Sequence, residues 1–333
     1  MPRMKIVHLV DDTTAGGVMR MLERLMELDE INAHAEQSVR RVGRGAAVIG
    51  SLDADVIVSH LTVSWRGLAG LIGLRAMNPS ARLIHIEHSY TRAFAALNVA
   101  RKARFFALLR VAYSLFDTVV AVSRAQASWL IERQLVDRDA LRVVHPEVDL
   151  EPFALLSPPA DVPRTIGAIG RLDRQKGFDV LIEAFRLCKH ADARLLIFGE
   201  GDERDNLETL AAGDSRIEFR GHAESPADAY GEVDIVALPS RWEAYGLVAR
   251  EAAASGRRTM LSPVDGLTDQ ISEDSFVVTQ YEPAAWAATL ERAFAGEAPT
   301  HWVSAVQGCR LVSLNRWPEV LLVDGASAQT VAA

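Results

Sequence analysis

A chain of 333 residues with 49% hydrophobic and 24% charged residues is longer than one ordinary core requires and carries enough apolar surface for two globular domains, which excludes a disordered protein. Its net charge of -8 argues against nucleic acid as a partner, because binding a phosphate backbone needs a dominant basic field. Cys188 and Cys309 show neither paired nor metal-ligand spacing, so they read as packing residues in a reducing compartment.

The N-terminus MPRMKIVHLVDD turns acidic after a short apolar run and lacks the core of a signal peptide, and the most apolar window, 105–122, is broken by Arg110 and Asp117. The expected location is the cytoplasm, with room for peripheral contact at the inner membrane face. From Lys5 onward, short apolar runs alternate with helical patterns: KIVHLV then GGVMRMLERLMEL, DVIVSH then VSWRGLAGLIGLRAM, RLIHIEH then one long basic helix over 92–116, TVVAVS then RAQASWLIERQL, and finally LRVVH. Strands buried on both faces and joined by helices form a parallel sheet, hence a doubly wound α/β domain over 1–151. No clear second strand is legible between Leu28 and Ala46. Four prolines in 152–163 read as a linker.

The alternation restarts with TIGAIG, FDVLIEAFRLC, RLLIFG, DERDNLETLAA, RIEFRG, VDIVALP and the helix after Glu243, and continues through RRTMLSP, SFVVT and PAAWAATLERAF. Phe178, Leu181, Ile182, Phe185 and Cys188 keep helical spacing and make one apolar stripe. The pattern predicts a second doubly wound domain over 164–299, with 300–323 a segment that crosses back to the first domain and 324–333 a frayed tail. Two Rossmann-like α/β domains in series are expected to face a cleft, since ligands of such sheets bind beyond the carboxyl ends of the strands.

Chemistry concentrates in two stretches of the second domain. In GRLDRQKGF, Arg171 and Lys176 flank a strand-to-helix turn, where two cations beside a helix N-terminus suit a diphosphate; solvated loop charges are the plain alternative. In DIVALPSRWEAYGLVAREAAASG, Glu243 precedes and Glu251 follows a helix start at Gly246 and Leu247, so one carboxylate lies in the loop and the other about one and a half turns into the helix. Surface glutamates would be the ordinary reading of either alone. In the first domain, Gly16 and Gly17 between the first strand and helix permit close backbone approach, or simply a tight turn. His88 ends the strand RLIHIEH, and His85 on the same strand reads as buried.

GRLDRQKGFDVLIEAF, IFGEGDE, SRWEAYGLVAREAAASG and SPVDGLTDQI occur in the order and spacing of the retaining GT-B glycosyltransferases of the "group 1" family, which the second domain resembles along nearly its whole length. The resemblance implies a nucleotide-diphosphate sugar as substrate, no cofactor and no metal. It places the donor diphosphate on Arg171 and Lys176, the sugar hydroxyls on Glu243, the ribose hydroxyls on Glu251 and the rest of the donor along Gly246 and Leu247. The first domain resembles the family more loosely: Gly16 and Gly17 match its glycine turn, which implies donor binding, His88 its cleft histidine, which implies a catalytic place near the sugar's reacting face, and Ser123 with Arg124 a short signature on the acceptor side.

Two departures stand out. The turn near the linker reads HPEVD over 145–149 where the family has Asn-Gly, and Asp269 stands in DGLTDQ where the family has Glu.

The implied reaction moves a sugar from the donor to a hydroxyl of a saccharide or lipid-linked acceptor with retention of configuration. Arg92, Arg101, Lys102, Arg104 and Arg110 among apolar residues suit either an anionic membrane surface or a packed helix with a basic outer side. A catalytically silent partner subunit and a nucleotide-sugar epimerase of the same fold are the alternatives. A dinucleotide oxidoreductase is disfavoured, because GEGDER lacks the full glycine fingerprint and follows the wrong strand.

Overall fold

The computed structural model describes residues 3–14, 16–223, 225–300 and 313–322. The described chain divides after Val148 into two compact units, and residues 313–322 group with the first.

In the first unit, strands β1 (Met4–Val10), β2 (Ala35–Arg41), β3 (Val56–Ser59), β4 (Arg82–Glu87), β5 (Thr118–Ala121) and β6 (Leu141–Val143) form one parallel sheet in the order β2-β1-β3-β4-β5-β6. Every residue of β3 and β5 is buried, as strands covered on both faces must be. Leu9, Ile57, Leu83, Val119 and Trp129 anchor the core against the helices.

Two sequence expectations are corrected here. A second strand does lie between Leu28 and Ala46: β2 pairs with β1 from Met4↔Ala35 to Val10↔Arg41. It escaped notice because AEQSVRR is an edge strand, mostly exposed and free to be polar. The basic segment 92–116 is not one helix but two, Arg92–Asn98 and Lys102–Tyr113. Val99 between them is extended, and the Asn98 carboxamide donates to Phe94 O at 3.2 Å, satisfying a carbonyl of the last turn where the helix ends.

In the second unit, β7 (Thr165–Ile169), β8 (Arg194–Phe198), β9 (Ile217–Gly221), β10 (Ile235–Leu238), β11 (Arg258–Leu261) and β12 (Ser275–Val277) form a parallel sheet in the order β12-β11-β10-β7-β8-β9. The chain order reverses between β7 and β10, and a doubly wound sheet opens a crevice at the carboxyl ends of such a pair. The apolar stripe read in the sequence is buried from Phe178 to Cys188. Burial also pushes the Cys188 thiol up to about 12, which suits packing rather than reactivity.

Residues 152–163 open inside a one-turn helix, Glu151–Ala154, whose Phe153 is buried edge-on against Tyr230 with ring centroids 5.1 Å apart. Near the C-terminus, Trp317 is fully buried and its Nε1 donates to His145 O at 3.2 Å, while Asn315 N donates to Val143 O at 2.7 Å. Trp302, Cys309 and the tail 324–333 lie outside the described residues. Among the described residues no helix is long and apolar enough to cross a membrane.

Candidate functional site

The strand reversal in the second unit brings two loops side by side, 170–177 after β7 and 239–246 after β10. Each ends at a glycine in the left-handed region, Gly177 at φ 69° and Gly246 at φ 89°, and each glycine is the N-cap of a helix, Phe178–Leu187 or Leu247–Ala254. A Cβ on Gly177 would lie 2.1 Å from Pro239 O, and one on Gly246 would lie 2.5 Å from Leu267 Cδ2, so neither position admits a larger residue without movement. No side chain caps either helix; Val180 N and Ala249 N turn back to Gly177 O and Gly246 O at 3.1 and 3.0 Å, and the helix starts ahead of them are where an anion would be favoured.

The loops are stitched together. Arg241 N donates to Gln175 O at 2.8 Å, and Gln175 Nε2 donates to Trp242 O at 3.0 Å. Arg241 also forms a two-pronged ion pair with Asp179, at 2.9 and 2.6 Å. Between the glycines, Lys176 Nζ donates to Glu243 Oε2 at 2.6 Å, with side chains only 16% and 11% exposed. Arg171 projects further out, its side chain 69% exposed and 3.3 Å from Asp173.

Glu251 is buried on the helix after Gly246, and Tyr230 donates its hydroxyl to Glu251 Oε2 at 2.6 Å. A third loop closes on the second: Gly266 N donates to Glu243 O at 2.8 Å, and Gln270 Nε2 to Tyr245 O at 3.3 Å. Asp269 sits half-buried in this 3-10 turn, Asp265–Gln270.

In the first unit, His88 follows β4 and is half-buried, its Nε2 3.0 Å from His60 Nδ1. The loop that carries it is held by the buried Glu87, whose Oε1 accepts from Ser89 N and Tyr90 N at 2.7 and 2.9 Å and whose Oε2 accepts from Tyr113 at 2.5 Å. Burial pushes the Glu87 carboxyl up, but His85 beside it and these hydrogen bonds outweigh that and hold it below the usual carboxylate range. Gly16 is exposed and extended at φ 179°, and a Cβ there would meet only Thr14 O at 3.8 Å, so its backbone does not require glycine. Gly17 is the exposed first residue of the helix Gly17–Glu27. Ser123 is fully buried as the N-cap of the helix Arg124–Glu132, accepting from Gln126 N at 3.1 Å.

The second unit matches the family model described as glycosyl transferases group 1 over residues 163–295, and the first matches glycosyltransferase family 4 over 30–152. The chain belongs to the group 1 glycosyltransferases. Over 201 residues it is 32% identical to D-inositol 3-phosphate glycosyltransferase of Xylanimonas cellulosilytica, covering 52% of this chain and 48% of that one. The same enzyme of Salinispora tropica is 30% identical over 288 residues, covering 75% and 58%. The chain thus spans about half the length of the curated relatives it matches. Among solved structures it resembles Anabaena HepE in complex with UDP and glucose (TM-score 0.69, 18% identity, 87% and 89% coverage). It also resembles sucrose-phosphate synthase from Thermosynechococcus elongatus (TM-score 0.70, 20% identity, 88% and 90%). The two sheets are those of the GT-B fold.

Within this group 1 glycosyltransferase, the residues singled out in the second domain converge on one end of one sheet. Lys176 and Glu243, assigned in the sequence to different parts of a ligand, contact one another directly. The sequence reading missed Gln175, the Asp179–Arg241 pair and Tyr230, which hold the loops and Glu251 in place. It also missed His8 and His60. His60 ends the strand DVIVSH just as His88 ends RLIHIEH, which was the available signal. In the basic segment, Arg92 pairs with Glu132 at 2.5 Å and Arg110 donates to Gln134 O and Arg133 O, while Arg101, Lys102 and Arg104 stay exposed. Among the described residues no group of three or more His, Cys, Asp or Glu side chains could hold a metal ion.

Proposed function

We propose that this protein transfers a sugar from a nucleotide-diphosphate donor to a hydroxyl of a saccharide or lipid-linked acceptor, with retention of anomeric configuration. The Lys176–Glu243 pair between two uncapped, glycine-led helix starts carries the reading. It sets a cation, two helix N-termini and a carboxylate together, as a diphosphate joined to a sugar would need. Arg171, Lys176 and the amides take the diphosphate. Glu243 and Asp269 take the sugar hydroxyls, and Glu251, braced by Tyr230, takes the ribose diol. The UDP held by HepE supports a nucleoside diphosphate as the donor's leaving half.

In the reaction, the bond from the sugar's C1 to the phosphate oxygen breaks and a bond from C1 to the acceptor oxygen forms on the same face. The acceptor's proton passes to the departing diphosphate oxygen. Charge gathers on that diphosphate, so the main contribution is electrostatic, from Arg171, Lys176 and the helix amides, and no metal has a part. The first unit's candidates are His88 for the sugar's reacting face and Gly16 and Gly17 for the donor. Proton NMR of the first-formed product tests the reading: the donor's anomeric configuration is expected, and an inverted product contradicts it. Arg101, Lys102 and Arg104 offer an anionic membrane a place to rest near a lipid-linked acceptor. Co-sedimentation with anionic vesicles that persists after neutralising all three contradicts that contact.

A further inference from the structure

Four polar side chains climb one face of the first sheet across the neighbouring strands β2, β1, β3 and β4: Gln37, His8, His60 and His88. Register explains the stair. Gln37 lies beside Ile6, His8 beside Val58 and Val58 beside Ile84, so all four occupy positions of one parity, each further toward the carboxyl ends than the last. Gln37 Oε1 is 3.1 Å from His8 Nε2, His8 Nδ1 is 3.1 Å from His60 Nε2, and His60 Nδ1 is 3.0 Å from His88 Nε2. The last two rings are tilted only 13° apart, which suits an in-plane hydrogen bond.

The direction of this chain is determined at its far end. Gln37 Nε2 donates to Leu25 O and to Asn32 Oδ1, both at 2.9 Å, and Asn32 Nδ2 donates to Met26 O at 2.7 Å. Main-chain carbonyls can only accept, so both amides are oriented and Gln37 must turn its oxygen toward His8. Burial pushes His8 and His88 down to about 4 and His60 well below its ordinary value, so each ring is neutral at pH 7, with one donor and one acceptor nitrogen. His8 then donates from Nε2 to Gln37 and accepts on Nδ1 from His60. His60 in turn accepts on Nδ1 from His88.

We propose that Gln37, acting through His8 and His60, locks His88 in the tautomer protonated on Nε2, so that Nδ1 is presented as an acceptor for a sugar or acceptor hydroxyl. Among the described residues His88 Nδ1 has no hydrogen-bond partner. The assignment of Nδ1 to a substrate rests on the glycosyl-transfer reading; the lock itself does not. Gln37, His8 and His60 are positioning residues.

Long-range proton–nitrogen correlation spectra of the protein labelled with 15N-histidine, at pH 7, test the lock, with His88 identified by the signals lost in H88N. The wild-type protein should show His88 protonated on Nε2 and bare on Nδ1. Q37M, which fills the same space without an acceptor, should move both nitrogens toward an averaged position. It should lower kcat about tenfold with little change in donor KM, the loss of roughly one hydrogen bond's worth of positioning. N32A loosens the same corner without touching His8 and should leave the His88 signals where they are. A wild-type His88 protonated on Nδ1, or signals unmoved in Q37M, overturns the proposal. Transfer by H88N at the wild-type rate overturns the substrate role of Nδ1 while the tautomer result stands, so the two readings fail separately.

Discussion

Glu243 shows what a single residue's position in the chain hides. Its motif marks it as a ligand carboxylate, yet in the folded chain it neutralises Lys176 at 2.6 Å in a largely buried pair. That contact depends on β7 and β10 being neighbours, a fact of sheet order that no local spacing carries. Arg171, Lys176, Glu243 and Glu251 were legible as candidates because glycine, cation and carboxylate recur in a fixed local pattern. Their supports, Gln175, Asp179 and Tyr230, were not, because a Gln, Asp or Tyr on a surface pattern carries no mark of its partner. Replacing Lys176 by Met removes a cation proposed to face the donor diphosphate and leaves Glu243 without its counter-charge. A fall in kcat of about a hundredfold is expected from the first effect, read by initial rates. A loss of about 2 kcal/mol in stability is expected from the second, read by urea unfolding. A K176M protein that transfers at the wild-type rate would remove Lys176 from the reaction.

At the scale of elements, the strands that were easiest to read are those buried on both faces, such as β3 and β5, since a continuous β-branched run has few other uses. β2 was illegible for the converse reason: an edge strand faces water and need not be apolar, so AEQSVRR looks like a loop until β1 pairs with it. The helix break at Val99 was hidden because the segments on both sides keep good helix formers, and only the Asn98 side chain marks the end. Ser123 and Arg124 illustrate a motif whose first residue has a structural job. Ser123 caps the helix Arg124–Glu132, so Ser123→Ala is expected to cost about 1 kcal/mol. Ser123→Thr, which keeps the hydroxyl, should restore most of it. Thermal unfolding of both variants checks this, and equal destabilisation of the two would argue against the cap.

On the scale of the whole molecule, the division into two doubly wound units was legible from the restart of alternation after residue 163, because each sheet needs its own series of apolar runs. The contact that Trp317 makes with His145 O was not, since a lone buried tryptophan does not name its partner. The units are expected to differ in their response to mild acid. His8, His60 and His88 have depressed values in the folded first unit, so the native state binds fewer protons than the unfolded chain, whose histidines titrate near 6.5. Their contribution is fully present above that pH and is lost as pH falls toward 4, by a total on the order of a few kcal/mol. Amide exchange, corrected for its intrinsic pH dependence, should therefore show protection of β1, β3 and β4 falling between pH 7 and pH 5 while β7 and β10 hold theirs. Equal loss in both units would contradict the histidine account.

The central claim, that the second unit holds a nucleotide-diphosphate sugar on the Lys176–Glu243 platform, is tested most directly by thermal shift of the wild-type and K176M proteins with UDP-, GDP- and ADP-sugars. A ligand that binds only the native state raises its stability by mass action. At least one donor should raise the wild-type Tm, with the rise largely lost in K176M. No rise with any donor, or an equal rise in both proteins, would contradict the claim.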